Sequence, residues 1–413
     1  MALRPGLAVI LVGLSVAACQ TQPPAPKTPP ATPLLPPPVA APVTPSPPAS
    51  ATPVPPSFPA VQLRPVDWTA IATWNRQSVG GAWPAFLQSC AGLKNQAAWQ
   101  TVCAAARDID PRDAGGQQRY FEQNFRPYAV ASLDNSLEGT ITGYYEPVIK
   151  GDRKCGSHAR YPIYGAPHDL IAVDMASVYP ELKGLRLRGR LEGNKLVPYF
   201  SRAEIENGDG RFQAEPIAWA EDPLELFFLQ IQGSGLIEFP DGERMRVGYA
   251  DQNGYPYRSI GKLLVERGEM KLEEASMQSI KAWGQRNPDK LPELLASNPS
   301  YVFFRELPNV LSGPLGSLGV PLTAGRSIAI DPRFIPLGAP VFLSTTNPLS
   351  NQPLDRLVMA QDTGGAILGP VRADFFWGLG PEAGELAGRM KQTGRLWVLL
   401  PKDYPLQTAG KSP

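Results

Sequence analysis

Ala360-Gln361-Asp362-Thr363-Gly364-Gly365-Ala366-Ile367 and, close behind it, Arg372-Ala373-Asp374-Phe375-Phe376-Trp377-Gly378 are the two stretches that determine the architecture of the C-terminal third. Asp362 follows an apolar run and precedes a glycine pair, which predicts the end of a strand that faces a cleft. Asp374 has apolar neighbours, and such an environment raises the pKa of a carboxyl group because it disfavours the charged form. A carboxyl group that keeps its proton near neutral pH is suited to act as a general acid.

Each aspartate of this region also has a structural interpretation. Asp331, which directly precedes Pro332, most simply starts a turn, and we assign it that structural role. Asp362 can order the Gly364-Gly365 turn by accepting hydrogen bonds from backbone N–H groups. The structural interpretation is weakest for Asp374, because a carboxyl group in an apolar run needs a partner or a purpose.

The remaining sequence divides into helical and strand patterns. Helices are predicted at 68–79 (with Asp67 as its cap), 87–93, 97–107, 117–124, 259–267, 272–286 and 291–297. A last helix is predicted from Pro381 to Gly394. Strands are predicted at 140–149, 185–190, 226–231, 236–239, 245–249, 327–330, 340–343, 357–360 and 396–400. The short strands between 139 and 250, separated by Gly, Pro, Asp and Asn, indicate an all-β module of the barrel type.

The N-terminus has the pattern of an export signal. Arg4 provides a positive charge, and residues 7–18 are apolar or small, a run too short for the roughly 20 residues that span a bilayer. Val16-Ala17-Ala18-Cys19 resembles a lipobox, in which the Cys thiol becomes the lipid attachment point. We therefore predict a lipoprotein signal peptide at 1–18 and lipidation of Cys19. The alternative is a plain secretory signal with an incidental cysteine.

A proline-rich segment follows the predicted signal. Residues 20–60 contain 17 of the 47 prolines among the 413 residues, and Lys27 is their only charged residue. Such a segment cannot bury enough apolar surface to fold. We assign residues 19–60 to the lipidated cysteine and a disordered tether.

Three further cysteines, Cys90, Cys103 and Cys155, would lie in an oxidising compartment, where disulfides persist. They allow three pairings, with one thiol left free or paired elsewhere. We favour Cys90 with Cys103, because that bond would join two consecutive helices.

The sequence gives no sign of a metal, an organic cofactor or a nucleic-acid partner. Only two histidines are present, and HExxH, P-loop and dinucleotide-binding motifs are missing. The net charge of +1, without a basic stripe, gives no argument for binding nucleic acid. We predict neither cofactor nor metal.

Five ordered motifs resemble the membrane-bound lytic murein transglycosylase A family. They are Thr142-Gly143-Tyr144-Tyr145-Glu146-Pro147, Phe228-Leu229-Gln230-Ile231-Gln232-Gly233-Ser234-Gly235, Gly254-Tyr255-Pro256-Tyr257-Arg258-Ser259-Ile260-Gly261, Asn298-Pro299-Ser300-Tyr301-Val302-Phe303-Phe304 and the three-aspartate segment from Asp331 to Gly378. The resemblance covers roughly residues 62–400, nearly the whole folded part.

The resemblance implies a mainly β fold with flanking helices. A double-psi β-barrel would be built from residues 61–138 and 251–405, with the three-aspartate segment at about 320–400. Residues 139–250 would form a second, smaller β-barrel, and a substrate groove would separate the two barrels.

The resemblance also implies the chemistry. The last aspartate, Asp374, would cleave the bond between N-acetylmuramic acid and N-acetylglucosamine in peptidoglycan, first as acid and then as base. Attack by the C6 hydroxyl of the same sugar gives a 1,6-anhydro ring and avoids the entropy of capturing water. Asp362 would support Asp374. Some relatives carry His-Phe before this aspartate, whereas Arg372-Ala373 stand here.

The expected partners are peptidoglycan glycan strands, a membrane reached through Cys19, and enzymes of cell-wall synthesis. Gln20 rather than Asp after the lipidated cysteine favours the outer membrane by resemblance to known sorting patterns. The candidate substrate-binding residues are Tyr144, which could stack on a sugar, Gly233, Ser234, and Gln230 with Gln232 on one face of the predicted strand. The alternative for the two glutamines is a polar outer face of a barrel strand.

Two other functions are compatible with the sequence. The chain could be a non-catalytic peptidoglycan-binding lipoprotein whose groove holds glycan without cutting it. It could also be a glycan hydrolase on the same barrel, with Asp362 as a base that acts through water.

Overall fold

A computed structural model describes residues 63–75, 79–182, 185–208 and 210–406. The predicted signal peptide, the tether and Cys19 lie outside these residues. The described strands are β1 Leu63–Pro65, β2 Phe125–Val130, β3 Gly139–Glu146, β4 Val148–Asp152, β5 Tyr161–Tyr164, β6 Ile171–Val173, β7 Leu187–Glu192, β8 Lys195–Pro198, β9 Pro216–Ala220, β10 Ser234–Glu238, β11 Arg244–Gln252, β12 Val302–Leu307, β13 Ser327–Ile330, β14 Pro340–Thr346, β15 Pro353–Thr363, β16 Arg372–Leu379 and β17 Lys391–Pro401.

The described α-helices are α1 Trp83–Gly92, α2 Ala97–Ala106, α3 Ala114–Asn124, α4 Arg202–Asn207, α5 Pro223–Gln232, α6 Ile260–Glu266, α7 Met277–Arg286, α8 Leu291–Ala296 and α9 Gly380–Arg389. Short 3₁₀ helices lie at Trp68–Ala70, Pro180–Leu182 and Leu272–Glu274. None of the helices in the described ranges has both the length and the apolar character that crossing a membrane requires.

The strands that carry the three-aspartate segment close into a first barrel. Its strands pair in the order β17, β14, β15, β13, β16 and β3, and β3 pairs back to β17. Closure leaves no free sheet edge among these six strands. The strand β2 extends the sheet from β17, and β1 pairs with β2. The predicted fold class, mainly β with a barrel and flanking helices, is confirmed.

The interior of the first barrel is apolar, and the three N-terminal helices cover one side of it. Fully buried side chains from barrel strands and from these helices form one cluster: Ile328, Ile330, Val341, Leu343, Phe375, Phe86, Phe121 and Trp99. A disulfide between Cys90 and Cys103 joins α1 to α2. The favoured cysteine pairing is therefore confirmed.

A second barrel is smaller and contains six strands in the order β12, β11, β10, β4, β9 and β5. A parallel bridge between Gly165, just after β5, and Phe304 of β12 connects the two outer strands. The strands β6, β7 and β8 form a separate three-stranded sheet. Pairing crosses the predicted boundaries of the 139–250 insert, because β3 belongs to the first barrel and β12 to the second.

A buried ion pair connects the two barrels. Glu146, at the end of β3, accepts a hydrogen bond from Arg246 of β11, and the two residues are 1% and 8% exposed. Burial raises the pKa of Glu146, and the Arg246 guanidinium acts against this rise. Removing one partner of such a pair would leave an uncompensated buried charge, which is strongly destabilising.

The largest error of the sequence interpretation is the strand predicted at 226–231, because this segment lies in the helix α5. Asp222 caps the helix by accepting hydrogen bonds from Leu224 N and Glu225 N at 2.7 and 3.0 Å. Pro223 occupies its first turn, and Gly233 ends it with a φ of +76°. A short apolar run is compatible with a strand or a buried helix, and here the cap decides for the helix.

Three other predictions of local structure are wrong. The helix predicted at 68–79 is reduced to the 3₁₀ turn Trp68–Ala70 in the described residues, and Asp67 makes no side-chain cap. The last helix ends at Arg389, whereas Gly394 lies within β17. The helix predicted at 272–286 is divided at Ser276 into the 3₁₀ turn Leu272–Glu274 and α7. In addition, eight of the described strands were not predicted: β1, β2, β5, β6, β8, β9, β12 and β16.

We expect the disulfide to contribute substantially to stability. The double variant Cys90→Ala/Cys103→Ala should lose about 2–4 kcal/mol of unfolding free energy, because the bond closes a loop across a sequence separation of 13. Guanidinium unfolding of the non-reduced wild type and of the variant measures this loss. Equal midpoints for the two proteins would contradict it.

Candidate active site

Four residues lie in one row across the first barrel. Ala329 of β13 pairs with Asp362 of β15 on one side and with Asp374 of β16 on the other. Asp374 in turn pairs with Thr142 of β3. Side chains that are direct partners in neighbouring strands point to the same face of a sheet. The two carboxyl groups therefore share one face, separated by the small Ala329.

A β-bulge brings Asp362 into this row. The register of β13 with β15 shifts between the pairs of Ile328 and Ala329, so that Gln361 has no partner in β13. The side chain of Gln361 is fully buried; its Nε2 donates to Ala85 O at 2.8 Å and its Oε1 accepts from Ser327 Oγ at 2.6 Å. A bulge of this kind redirects the next side chain. It turns Gln361 toward α1 and places Asp362 beside Ala329.

Asp374 has one bound and one open carboxyl oxygen. Thr142 Oγ1 donates to Oδ1 at 2.6 Å. No hydrogen bond to Oδ2 occurs within the described ranges, and the side chain is only partly buried. Burial raises the pKa of Asp374 to about 6, and the nearby Asp362 adds to the rise. The Thr142 hydroxyl and the Arg372 guanidinium act in the opposite direction.

Asp362 is held by four hydrogen bonds. Its Oδ1 accepts from Ser317 N at 2.9 Å, Ser317 Oγ at 3.0 Å and Thr363 N at 2.9 Å. Its Oδ2 accepts from Tyr144 OH at 3.1 Å. Burial raises the pKa of Asp362, and these four donors counteract that effect. Both oxygens of Asp362 are thus engaged, in contrast to those of Asp374.

Ser317 reaches Asp362 from a loop that lies against β15. Leu318 N donates to Gln361 O at 3.0 Å and fixes the loop there. A Cβ atom on Gly316 would lie 2.5 Å from the same carbonyl oxygen, so this approach requires glycine. The sequence analysis missed Ser317, and no local pattern identifies it. It also missed the role of Thr142, although that residue belongs to a quoted motif.

Tyr144 lies two residues after Thr142 on β3 and shares its face. Burial, with Asp362 and Asp374 nearby, raises the pKa of Tyr144 well above its ordinary value. Its hydroxyl therefore stays protonated and donates to Asp362. The ring contacts Phe376 with a centroid distance of 5.2 Å.

Asp331 connects two turns next to the site. It is 2% exposed and accepts hydrogen bonds from Arg333 N at 3.1 Å and from Gly369 N at 2.8 Å. The Arg333 guanidinium also binds its carboxylate at 2.6 Å. These donors hold the pKa of Asp331 below its usual value despite burial. Gly369 lies in the loop between Asp362 and Asp374, so Asp331 fastens that loop to the turn after β13.

The candidate binding residues from the family motif lie around the end of α5. Gln230 is 4% exposed and accepts from the Arg202 guanidinium, whereas Gln232 Oε1 accepts from Tyr145 N at 3.1 Å. Gly233 ends the helix, and Ser234 begins β10. Gln232 is thus attached to β3 next to Tyr144. Because both glutamines lie on a helix, the prediction that they share one face of a strand is wrong. Gln230 lies in the interior, and its proposed contact with sugar stays a prediction.

Arg372 is the first of the two residues that replace the His-Phe pair of some relatives before the last aspartate. Its guanidinium donates to Ala373 O at 2.6 Å and to Thr140 O at 3.3 Å. Its pKa is lowered by burial, and Asp374 acts against this decrease. The arginine therefore adds positive charge close to the carboxyl group of Asp374. Within the described part of the chain, no three His, Cys, Asp or Glu side chains cluster closely enough to hold a metal ion.

Comparisons with known proteins agree with this geometry. Residues 140–305 match the model of the MltA specific insert domain, and residues 326–400 match that of the 3D domain. Membrane-bound lytic murein transglycosylase A of Escherichia coli (strain K12) is 36% identical over 294 residues, which are 69% of this chain and 72% of that protein.

Solved structures extend the comparison. The monoclinic form of MltA from Neisseria gonorrhoeae has a TM-score of 0.74 at 43% identity and covers 83% of this chain and 93% of that chain. MltA from Escherichia coli with bound chitohexaose has a TM-score of 0.59 at 29% identity and covers 84% and 94% of the two chains.

The fold and the site together define a β-barrel enzyme in which two aspartate carboxyl groups share one face of the barrel, one with its pKa raised to about 6 and the other held by four hydrogen bonds. The chain belongs to the membrane-bound lytic murein transglycosylase A family. The predicted family is confirmed.

The raised pKa of Asp374 has a consequence for stability. The folded protein binds this proton more tightly than the unfolded chain, so the resulting stabilisation is present below pH 4 and is lost as the pH rises through about 6. Asp374→Asn removes the cost of burying the charge. As the pH rises from 4.5 to 8, the unfolding free energy of the variant should increase by about 1–2 kcal/mol relative to that of wild type.

Urea unfolding of both proteins at the two pH values tests this expectation. Asp289→Asn, which changes an exposed aspartate, is the control and should show no such pH-dependent gain. A difference between Asp374→Asn and wild type that is the same at both pH values would contradict the raised pKa.

Proposed function

We propose that this chain, a peptidoglycan lytic transglycosylase by its family, cleaves glycan strands with Asp374 as the single general acid and base. The observation that carries the proposal is the asymmetry of Asp374. One of its oxygens is bound by Thr142, the other is open, and burial raises its pKa to about 6. A carboxyl group with a pKa of about 6 carries its proton in about half of the molecules at pH 6 and in about a tenth at pH 7, and its open oxygen is the one that can deliver the proton.

The reaction balances without water. Asp374 gives its proton to the oxygen between N-acetylmuramic acid and N-acetylglucosamine, and the C1–O bond breaks to release the 4-hydroxyl of N-acetylglucosamine. The C6 hydroxyl of the muramoyl residue forms a new bond to C1, and its proton returns to Asp374. Because the nucleophile belongs to the same sugar, little entropy is lost in bringing it to C1.

Asp362 acts in this proposal by position and charge. Its four hydrogen bonds fix it, and its charge favours the protonated form of Asp374. Tyr144 donates to Asp362 and presents its ring beside the two carboxyl groups. The pair thus divides its roles, with the proton on Asp374 and the accepting role on Asp362.

The contacts of Asp362 disfavour the alternative of a hydrolase. A base that activates water needs an oxygen that is open to that water. Oδ1 of Asp362 accepts three hydrogen bonds from the protein and Oδ2 accepts one from Tyr144, whereas Oδ2 of Asp374 accepts none in the described residues. The alternative of a purely binding protein leaves the raised pKa of Asp374 without a use.

The proposed substrate site is the groove between the two barrels. The related MltA structure from Escherichia coli is described with bound chitohexaose, a chain of β-1,4-linked N-acetylglucosamine units. We take the same face here to bind the peptidoglycan strand, with Tyr144, Gln232, Gly233 and Ser234 along it. We propose that residues 61–138 and 251–405 form the first domain and that residues 139–250 are inserted into it. Two strands are exceptions to this division, because β3 pairs within the first barrel and β12 within the second.

The chain is expected to act at a membrane, as the names of its relatives state for them. We propose that the membrane is the outer membrane, reached through a lipid on Cys19 and facing the periplasm. The sequence Val16-Ala17-Ala18-Cys19 and the proline-rich segment after it support this proposal. Enzymes of cell-wall synthesis are the partners that this location would bring within reach.

The assignment of the acid predicts the effect of Asp374→Asn. The variant should lose at least about 1000-fold in the release of 1,6-anhydro products from purified sacculi, because an amide cannot deliver the proton. Mass spectrometry of the sugar products measures this release. Glycan binding should persist, because Asn can still accept the Thr142 hydrogen bond.

Asp289→Asn is the matched control and should release anhydro products at the wild-type rate. Release by Asp374→Asn at a normal rate would contradict the assignment. Reducing ends from the wild type would indicate the hydrolase, and no soluble product would indicate a binding protein.

The lipid anchor predicts a change of location on substitution of Cys19→Ala. The variant should leave the membrane fraction, because the acyl chains that hold the protein there cannot be attached. Cell fractionation measures its distribution, and purified activity on sacculi should stay unchanged. Retention of Cys19→Ala in the membrane fraction would refute the anchor.

A further inference from the structure

We propose that Arg186 and Tyr249 form a subsite for the carboxylate groups of the stem peptides attached to the glycan strand. The inference rests on the proposed function, because these peptides project from the same polymer that Asp374 would cut. It adds a recognition element that acts on the peptide rather than on the sugars.

A short series of contacts connects this pair to the carboxyl site. Tyr144 lies on β3 beside Asp362, and the next backbone N–H, that of Tyr145, donates to Gln232. A Cβ atom built on Gly233 would lie 4.0 Å from Cβ of Tyr249. Tyr249 is therefore next to the end of α5, on the side of the second barrel that adjoins the site.

Tyr249 and Arg186 form an exposed aromatic and cationic pair. The Arg186 guanidinium carbon lies 5.9 Å from the centroid of the Tyr249 ring. Tyr249 is 36% exposed, and Arg186 is exposed. The Arg186 guanidinium also forms a hydrogen bond with the Tyr249 side chain. Because arginine has five N–H donors, others remain that can bind a carboxylate with two parallel hydrogen bonds.

The local charge balance leaves a positive charge available. Arg188 forms an ion pair with Asp251 through Nε and Oδ1 at 2.8 Å. Asp251 is thereby neutralised by the neighbouring arginine. Within the described ranges no acidic side chain forms an ion pair with Arg186. Two arginines thus face one aspartate, and the excess charge belongs to Arg186.

The strand that follows Arg186 is held by contacts of Arg188. The Arg188–Asp251 pair is partly buried and joins β7 to β11. On the same side, Gly254 approaches the chain so closely that an added Cβ would lie 2.9 Å from Arg188 N. The start of β7 is therefore anchored on the second barrel. Arg186, two residues earlier, presents its charge from a held segment.

The chemistry of the strand selects the ligand. The sugars of a peptide-bearing strand are neutral, because the lactyl carboxyl group of each substituted muramoyl residue is consumed in the amide bond to the peptide. The negative charges of such a strand are the carboxylates of the stem peptides. A cation with a fixed, fork-shaped set of donors next to the sugar site matches those groups.

The test compares three substrates made from purified sacculi: native strands, strands whose peptide carboxylates have been converted to methylamides, and strands freed of peptide by an amidase. The readout is the initial rate of 1,6-anhydro product release at subsaturating substrate. Wild type should cut native strands about five- to tenfold faster than methylamide strands, and Arg186→Ala should lose this preference. Arg186→Lys should keep part of it, because the charge remains.

Lys195→Ala is the matched control. Lys195 is an exposed cation of the same three-stranded sheet, at the far end of the β7–β8 hairpin, about 20 Å along the strand from Arg186. This variant should keep the wild-type preference. Unfolding midpoints equal to wild type will show that Arg186→Ala is folded.

The outcomes separate the inference from the proposed function. A wild type that cuts native and methylamide strands equally, or an Arg186→Ala variant that keeps the preference, overturns the inference. If Arg186→Ala slows the cutting of peptide-free strands but leaves the cutting of native strands at the wild-type rate, the bound group is the lactyl carboxylate, and the stem-peptide assignment is wrong. The absence of anhydro products from all wild-type reactions would instead refute the proposed function.

Discussion

The cross-strand register at Ala329 is the constraint on which the site depends. Because Ala329 pairs with Asp362 on one side and with Asp374 on the other, the two carboxyl groups lie on the same face of the barrel with one strand between them. Strands in a sheet lie about 4.8 Å apart, so the two aspartate backbones are separated by about 10 Å. A larger residue than alanine in the middle would fill the space between the carboxyl groups. Closure of the first barrel fixes this register, since none of its six strands can slip without breaking pairs on both sides.

The two barrels are held together close to the same row. The strand β3 supplies Thr142 to Asp374, and its last residue, Glu146, forms the buried ion pair with Arg246 of the second barrel. The helix α5 packs one face into the second barrel through Leu226 and Leu229 and its other face against α6, α7 and α8. Its final residue, Gln232, then binds the backbone of β3. A change in the position of the second barrel is therefore transmitted to the strand that hydrogen-bonds the proposed acid.

Sequence reasoning identified the parts of the site that depend on local chemistry and missed those that depend on distant pairing. Apolar neighbours raise the pKa of an aspartate wherever it lies in a fold, so the raised pKa of Asp374 could be predicted from the local sequence. The register of β13 with β15 could not, because it depends on a bulge that the buried amide of Gln361 stabilises from α1. The role of Ser317 could not be predicted either, because Ser317 binds Asp362 from a loop that is 45 residues away in the sequence. The segment 226–231 was misassigned because a short apolar run has no periodicity that separates helix from strand, and the cap at Asp222 was not weighed.

The sparse bonding of Asp374 is itself part of the chemistry. A second donor on its open oxygen would favour the charged form and lower its pKa, and it would occupy the position that the glycosidic oxygen must take. The single Thr142 bond orients the carboxyl group without supplying enough donors to return its pKa to the ordinary range. Asp362 has the opposite arrangement, with four protein donors spread over both of its oxygens. The two carboxyl groups thus differ in their hydrogen bonds, because backbone N–H groups of Ser317 and Thr363 bind Asp362, whereas Asp374 receives only the hydroxyl group of Thr142.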